Sequence, residues 1–187
     1  MLNTVRMLAG AGADVNVPGG DHDVRALHLA ASSGQVAMVE LLLSAGAEVD
    51  AATNRAGDGC TALHRAAHEG NAAVIDVLLD AGADVHATTV SNDVTDHDRN
   101  ELTALWLAAE GGHDDAVKLL LARGAHPMDS SPDGRSAVWL AADGGHHGVV
   151  RALSAAIESY GGHPGVTHAL TAGKAIGRVR KGRRASC

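Results

Sequence analysis

The chain has 187 residues, a formal net charge of −7 and 45% hydrophobic residues, but only 2% aromatic residues and no Phe. This hydrophobic content excludes a compositionally disordered chain, and a core of Ala, Leu and Val favours closely packed helices over a β-sandwich. No apolar run approaches the roughly 18 residues that cross a bilayer, and the N-terminus lacks the basic and then apolar order of a secretory signal. We therefore expect an intracellular chain, cytoplasmic by default, with a nuclear location left open.

The charge is divided unevenly along the chain. The residues after Tyr160 include no acid and carry six bases, so the first 160 residues have a net charge of −13. The sequence thus predicts an acidic body and a basic C-terminal tail, residues 160–187, which we expect to be disordered because it is rich in Gly and charge. The six bases are Lys174, Arg178, Arg180, Lys181, Arg183 and Arg184.

The predicted elements form a series of similar segments. Residues 5–16, with the sequence VRMLAGAGADVN, are predicted to form a helix and its exit turn. Four longer segments follow, which begin RALHLAA at Arg25, TALHRAA at Thr61, TALWLAA at Thr103 and SAVWLAA at Ser136. Each has a Gly nine residues after its start, and the starts are 36, 42 and 33 residues apart. This regular spacing predicts an internal repeat.

Each repeat is predicted to form a pair of helices. In the second repeat, Thr61 is a good N-cap, and Leu63, Ala66 and Ala67 lie on one face of the helix that follows. Gly70 ends this helix, and a second apolar stretch then leads to a Gly-Ala exit. Two helices of about ten residues cannot bury their apolar faces alone, so we expect neighbouring pairs to stack into a continuous core.

These segments resemble the ankyrin repeat, which has a period of about 33 residues and a Thr-Pro-Leu-His-x-Ala signature. The resemblance covers residues 5 to about 157. It implies an all-α solenoid of stacked helix-turn-helix units with finger-like β-turn loops, made of four repeats and an N-terminal half-repeat. The array, residues 1–159, then divides into the half-repeat 1–16 and repeats at about 17–50, 51–87, 88–128 and 129–159.

The repeats depart from the ankyrin signature in several places. Ala stands where the family has Pro in every repeat, and Arg25 replaces the capping Thr, which predicts a weakly capped helix. The resemblance implies that His28 and His64 form hydrogen bonds between adjacent repeats. Trp106 and Trp139 replace this His, so the last two repeats must satisfy those groups otherwise. The longest connector contains a polar, acidic insertion, residues 88–101, which we expect to be an extended and mobile finger.

The sequence contains no motif that indicates catalysis or a cofactor. A nucleophile elbow, a His-Glu-x-x-His helix and a phosphate-binding loop are all missing. Twelve histidines are present, but their spacing matches no metal motif, and adjacent residues on a loop rarely supply the converging ligands that a metal site needs. We therefore expect a protein that is not an enzyme and that has no catalytic, cofactor-binding or metal-binding residues.

The ankyrin resemblance implies that a partner protein binds at the finger tips and at the concave face formed by the first helices. Because this set of residues leans acidic, we expect a partner with a basic or mixed-charge patch, and we expect the chain itself to be a monomer. The finger-side candidates are His22, Asp23, Asp58, Asp98, Arg99, Asp133 and Arg135. The helix-side candidates are Ser32, Ser33, His68, Glu69, Glu110 and Asp143.

Protein–protein recognition by a rigid scaffold is the function that the sequence favours, and two alternatives stay open. The basic segment 174–184 could make the chain a nuclear or nucleic-acid-associated adaptor, and any contact with nucleic acid is expected to involve this segment alone. Met1 precedes a half-repeat where a polar capping unit is expected, so the chain could instead be a fragment of a larger multidomain enzyme or signalling protein.

Overall fold

The structure, a computed structural model, describes residues 2–20, 22–54, 59–90, 101–131 and 134–160. Within these ranges the chain forms nine α-helices and no strands beyond three isolated antiparallel bridges. The predicted all-α class is confirmed. The helices are α1 (Leu2–Gly10), α2 (Ala26–Ser32), α3 (Val36–Ser44), α4 (Ala62–His68), α5 (Ala72–Asp80), α6 (Ala104–Glu110), α7 (Asp114–Ala122), α8 (Ala137–Asp143) and α9 (His147–Ser159).

The helices are arranged in two layers. The first helices of the repeats, α2, α4, α6 and α8, pack side by side, and each packs against the second helix of its own repeat. The second helices α3, α5, α7 and α9 form the other layer, and α1 stands beside α3 at its N-terminal end. The predicted solenoid of four helix pairs and an N-terminal half-repeat is what the structure has. The first helices have seven residues, fewer than the ten expected.

The core lies between the two layers and runs without interruption along the array. Small side chains such as Ala31, Ala66 and Ala67 are fully buried where first helices meet, and larger ones such as Leu42 and Leu63 fill the space between the layers. Alanine at the contact between helices lets their backbones approach closely. Each buried Leu contributes about 1.5–3 kcal/mol by leaving water.

Capping residues fix where the first helices begin. The side chain of Thr61 accepts a hydrogen bond from the backbone N–H of His64 at 3.4 Å, and Thr103 and Ser136 cap α6 and α8 in the same way. Arg25, as predicted, provides no side-chain cap for α2. Its guanidinium instead donates to the carbonyl of Asn16 at 3.0 Å, which ties this repeat to the half-repeat before it.

The turn between the two helices of a repeat needs glycine for two reasons. Gly70 has a φ of +72°, and Gly112 has a φ of +74°, a conformation that other residues rarely adopt. A β-carbon at Gly70 would also collide with the ring of His113, and one at Gly112 would collide with the ring of His146. These two glycines therefore allow the second and third full repeats each to receive a histidine from the next one.

The finger-like connectors close through single antiparallel bridges, which pair Gly19 with Val24, Thr88 with Thr103 and Ser130 with Ser136. Most of the predicted finger 88–101 lies outside the described residues, as does the basic tail beyond Tyr160. The expectations that the finger is extended and that the tail is disordered therefore stay predictions, and so do the boundaries of the repeats.

The half-repeat leaves one end of the core uncovered. Leu8 stands four residues before the exit Gly of α1, in the same register as the buried Leu42, Leu78 and Leu120. Leu8 is nevertheless 55% exposed, because no first helix packs on α1 within the described ranges. At the other end, the 13-residue helix α9 is longer than the other second helices and covers the last repeat with Val149, Leu153 and Ile157.

Candidate functional site

One side chain in each of the first three full repeats reaches forward to the backbone of the next repeat. The Nε2 atoms of His28 and His64 lie 2.8 and 3.0 Å from the carbonyl oxygens of Ala51 and Ala87. Since a carbonyl can only accept, both rings carry their proton on Nε2. These contacts agree with the role that the ankyrin resemblance implied for His28 and His64.

Trp106 occupies the position of this histidine in the third repeat and keeps the same kind of contact. Its indole N–H donates to the carbonyl of Arg135 at 3.2 Å. His64 makes the matching contact with the carbonyl of Leu102 at 3.1 Å. The two carbonyls match because Leu102 and Arg135 each directly precede the N-cap residue of the next first helix. The Trp repeat therefore satisfies the same backbone group with a different donor.

His64 is held in its neutral form by its surroundings. The ring is fully buried, and its Nδ1 accepts from the backbone N–H of Thr61 at 3.2 Å while Nε2–H donates to two carbonyls. Burial lowers the pKa of His64 from 6.5 to about 4, although the two carbonyls oppose this shift. Burial lowers the pKa of His28 as well.

A second set of side chains reaches backward, to the C-terminal ends of the preceding first helices. Asn71 Nδ2 donates to the carbonyl of Ser32 at 3.0 Å, His113 Nε2 to that of His68 at 2.9 Å, and His146 Nε2 to that of Glu110 at 3.1 Å. Ser32, His68 and Glu110 are all predicted partner-binding residues at equivalent positions. Each is therefore fixed through its own backbone by the following repeat.

These ends form a continuous line of polar side chains, which we call the first-helix row. Asp143 ends α8 and completes the series, and Ser33 and Glu69 directly follow Ser32 and His68. The Nδ1 of His68 lies 3.0 Å from a carboxylate oxygen of Glu69. The structure thus brings the six helix-side candidates together along one edge of the array: Ser32, Ser33, His68, Glu69, Glu110 and Asp143.

The finger-side candidates are less completely described. His22 is exposed, and its carbonyl accepts from the N–H of Asn54 in the next finger at 3.0 Å. Asp23 is half-buried with a φ of +53°. The guanidinium of Arg135 lies 6.0 Å from the ring centroid of Trp139, so the Arg135 side chain already makes a cation–π contact within the chain. Asp58, Asp98, Arg99 and Asp133 lie outside the described residues.

Comparison with known families decides what kind of array this is. A family model described as ankyrin repeats (3 copies) matches residues 1–89 and again residues 90–164. The chain belongs to the ankyrin-repeat family. Ankyrin repeats are protein-interaction modules, so the class of function that the sequence favours is supported at this level.

One relative of this ankyrin chain is an enzyme, but the shared part is short. Palmitoyltransferase AKR1 from Kluyveromyces lactis is 53% identical over 47 residues, which are 25% of this chain and 6% of that protein. Only 23 residues of the chain lie outside the ranges that match the ankyrin model. At least 24 of the 47 shared residues therefore belong to the repeats.

Two surface features are not among the residues that the sequence analysis singled out. Leu29, the residue after the signature His in the first full repeat, is 61% exposed on α2. An open groove of about 570 Å³ lies between neighbouring fingers, with Asp50 and Asp84 among the residues that line it. An alignment of the repeats would have marked Leu29, because the equivalent residue in the next repeat is Arg65.

The second-helix layer carries charges that are already paired. Arg123 contacts both Asp76 and Asp80 on the preceding second helix, at 2.7 Å in the case of Asp80. The hydrogen bond that Arg123 donates to Asp80 raises the pKa of Arg123, and the charge of Asp76 adds to this effect. Lys118 lies 3.8 Å from Asp115 on α7. The charges of this layer thus bind neighbouring repeats and helix turns to one another.

In the described part of the chain, no three His, Cys, Asp or Glu side chains lie close enough to hold a metal ion together. A membrane-crossing helix is also missing among those same residues, since none is both long enough and apolar enough.

Proposed function

We propose that this chain is a protein-binding scaffold without catalysis of its own, which recognises a partner through the first-helix row and the fingers. The observation that carries this proposal is the row itself. Side chains of the next repeat hold the carbonyls of Ser32, His68 and Glu110. The backbone of the row is thus already in register, so binding has only the exposed side chains left to order.

The charge of the row indicates the chemistry of the partner. Glu69, Glu110 and Asp143 place three carboxylates along one edge, and no Lys or Arg belongs to the row. A partner with a basic or mixed-charge patch is complementary to this edge. Attraction between the two surfaces speeds the encounter and weakens as salt is added.

The proposal extends to the setting of the chain. We propose that the chain is an intracellular monomer, cytoplasmic by default, and that a partner protein carries out any catalysis associated with it. The match with a palmitoyltransferase supports a shared repeat, because at least half of the matched residues lie in the ankyrin ranges. The enzyme fragment predicted as an alternative would need a catalytic domain beyond these repeats.

The test compares two sets of three charge-neutralising substitutions in the full chain. One variant carries Glu69→Gln, Glu110→Gln and Asp143→Asn in the first-helix row. The matched control carries Glu40→Gln, Asp115→Asn and Glu158→Gln, which remove the same charge from exposed positions of the second helices. Each chain is used for quantitative affinity capture, and the association rate of each captured protein is measured from about 0.05 to 0.5 M salt.

We expect the row variant to associate about tenfold more slowly with the partner at low salt, since three favourable charge contacts at the encounter are lost. The control is expected to stay within about twofold of the unmodified chain. Equal effects of the two variants, or an association rate that does not depend on salt, would contradict recognition by this row.

A further inference from the structure

The first helices have one side that carries no packed helix. Helices α2, α4, α6 and α8 pack mainly against one another and against the second helix of their own repeat. The remaining side carries the first-helix row, and we call it the first-helix face. At equivalent positions along it, Leu29 is exposed and Arg65 is half-buried, whereas Leu107 and Leu140 are buried in a cluster with Trp106. Within the described ranges no further element of the chain packs against this face as a helix does.

The acids of this face stand where they weaken their own helices. Glu110 and Asp143 are the last residues of α6 and α8, and Glu69 is the C-cap of α4. The carbonyl end of a helix is negative, so a carboxylate there is unfavourable. The same arrangement in three successive repeats places three carboxylates along one edge of the array, and a cation bound there offsets their unfavourable interaction with the helix ends.

The chain itself contains a cationic segment that can reach this edge. Residues 161–187 follow the last described helix, and they include six bases and no acid, against a net charge of −13 for the first 160 residues. Lys174 lies fourteen positions after Tyr160, and such a segment spans up to about 46–50 Å. Four neighbouring helices spaced at about 8–10 Å span about 30 Å. The 13 residues of α9 place Tyr160 about 20 Å from the end of the helix that lies beside the row, so the extended segment is long enough to reach it.

We propose that residues 174–184 bind in cis across the first-helix face, with their Lys and Arg side chains against Glu69, Glu110 and Asp143. Because both sites belong to one chain, the effective concentration of the segment is on the order of millimolar. Weak individual charge contacts are then sufficient for occupancy at low salt. The segment occupies the surface that the proposed function gives to a basic partner, so it acts as a built-in competitor for that surface.

The three lysines of the chain allow a direct test. A water-soluble carbodiimide joins amines to carboxylates that touch, without a spacer, and the lysines are Lys118, Lys174 and Lys181. Lys118 lies beside Asp115, which gives an internal reference for coupling efficiency. The full chain is treated at about 0.05 M and 0.5 M salt, and the cross-linked monomer is analysed by mass spectrometry.

We expect Lys174 and Lys181 to couple to Glu69, Glu110 or Asp143 at least tenfold more often than to Glu40 or Glu158. Because salt shortens the range of charge attraction, this coupling should fall at 0.5 M salt by more than that of Lys118. Coupling spread evenly over all exposed acids, or found only between two copies of the chain, overturns the proposal. Tight binding of a labelled oligonucleotide by the segment, without coupling to the row, overturns it in favour of nucleic acid.

A second measurement uses hydrogen exchange and no partner. A full chain in which the six tail bases are replaced by Gln is expected to exchange faster than the unmodified chain at α4, α6 and α8, and equally at α5 and α7. Equal exchange everywhere contradicts cis binding. Partner binding that still depends on the row acids, together with evenly spread cross-links, would refute this inference and leave the proposed function standing.

Discussion

Lowering the pH provides a direct test of His64, the buried histidine of the second repeat. The ring of His64 is fully buried, its Nδ1 faces the N–H of Thr61, and its Nε2–H faces two carbonyls. A second proton would place a positive charge inside the core, where burial disfavours it. We therefore expect the free energy of unfolding to fall as the pH drops from 7 to 4.5, and His64→Gln to remove a defined part of this loss.

The size of this part follows from the two pKa values. His64 titrates at about 4 in the folded chain and near 6.5 when unfolded. Between these values the unfolded state binds more protons, so stability falls as the pH falls. At 1.36 kcal/mol per pH unit, the full effect is about 3 kcal/mol. Most of it, about 2 kcal/mol, is lost between pH 7 and pH 4.5.

The assay is urea unfolding followed by circular dichroism, at pH 7 and at pH 4.5. Carboxylates also protonate in this interval, but they do so in every variant, so the difference between chains isolates the histidine. The exposed His147 provides the control, since His147→Gln should lose as much stability on acidification as the unmodified chain. If His64→Gln also loses the same amount, the ring is not the neutral core group that these contacts require.

Three further substitutions test other contacts, each by urea unfolding at pH 7. Trp106→Phe removes the indole N–H that donates to the next repeat together with part of a buried ring, so it should cost at least about 1 kcal/mol. Trp139→Phe should cost less, and equal costs would contradict the contact. Leu42→Ala should lower the free energy of unfolding by about 2–5 kcal/mol because Leu42 is fully buried. Leu8→Ala changes an exposed residue in the same register and should lower it by less than about 1 kcal/mol. A reversed order would refute the packing. Thr61→Ala removes an N-cap and should cost about 1 kcal/mol, and an unchanged midpoint would show that the cap is unimportant.

The sequence predicted the helices and their stacking because these depend on short-range patterns. Thr61, the apolar positions after it and Gly70 mark one helix and its turn without any knowledge of the neighbours. The missing cap at Arg25 could be predicted for the same reason. The hydrogen bond from Arg25 to the carbonyl of Asn16 could not be predicted, since Asn16 belongs to the preceding unit and becomes a neighbour only when the units stack.

The candidate surface was predicted in position but not in detail. Equivalent positions in the repeats placed Ser32, His68 and Glu110 on one edge before their contacts were known. The side chains that hold this edge differ in chemistry, because Asn71 serves one repeat where His113 serves the next. Such substitutions conceal a shared role from the sequence, and only the common acceptor, a backbone carbonyl, reveals it.

The contacts that reach across neighbouring repeats have an evolutionary consequence. All of these contacts end on main-chain carbonyls. The carbonyls accept from His28, His64 and Trp106 in the forward direction, and from Asn71 and His113 in the backward direction. Every amino acid has such a carbonyl, so the bond survives a change of the side chain on the accepting residue, as long as the turn glycine beside it is kept. Gene duplication or recombination can thus lengthen, shorten or reshuffle the array without a matching mutation elsewhere, and the outward-facing residues remain free to diversify.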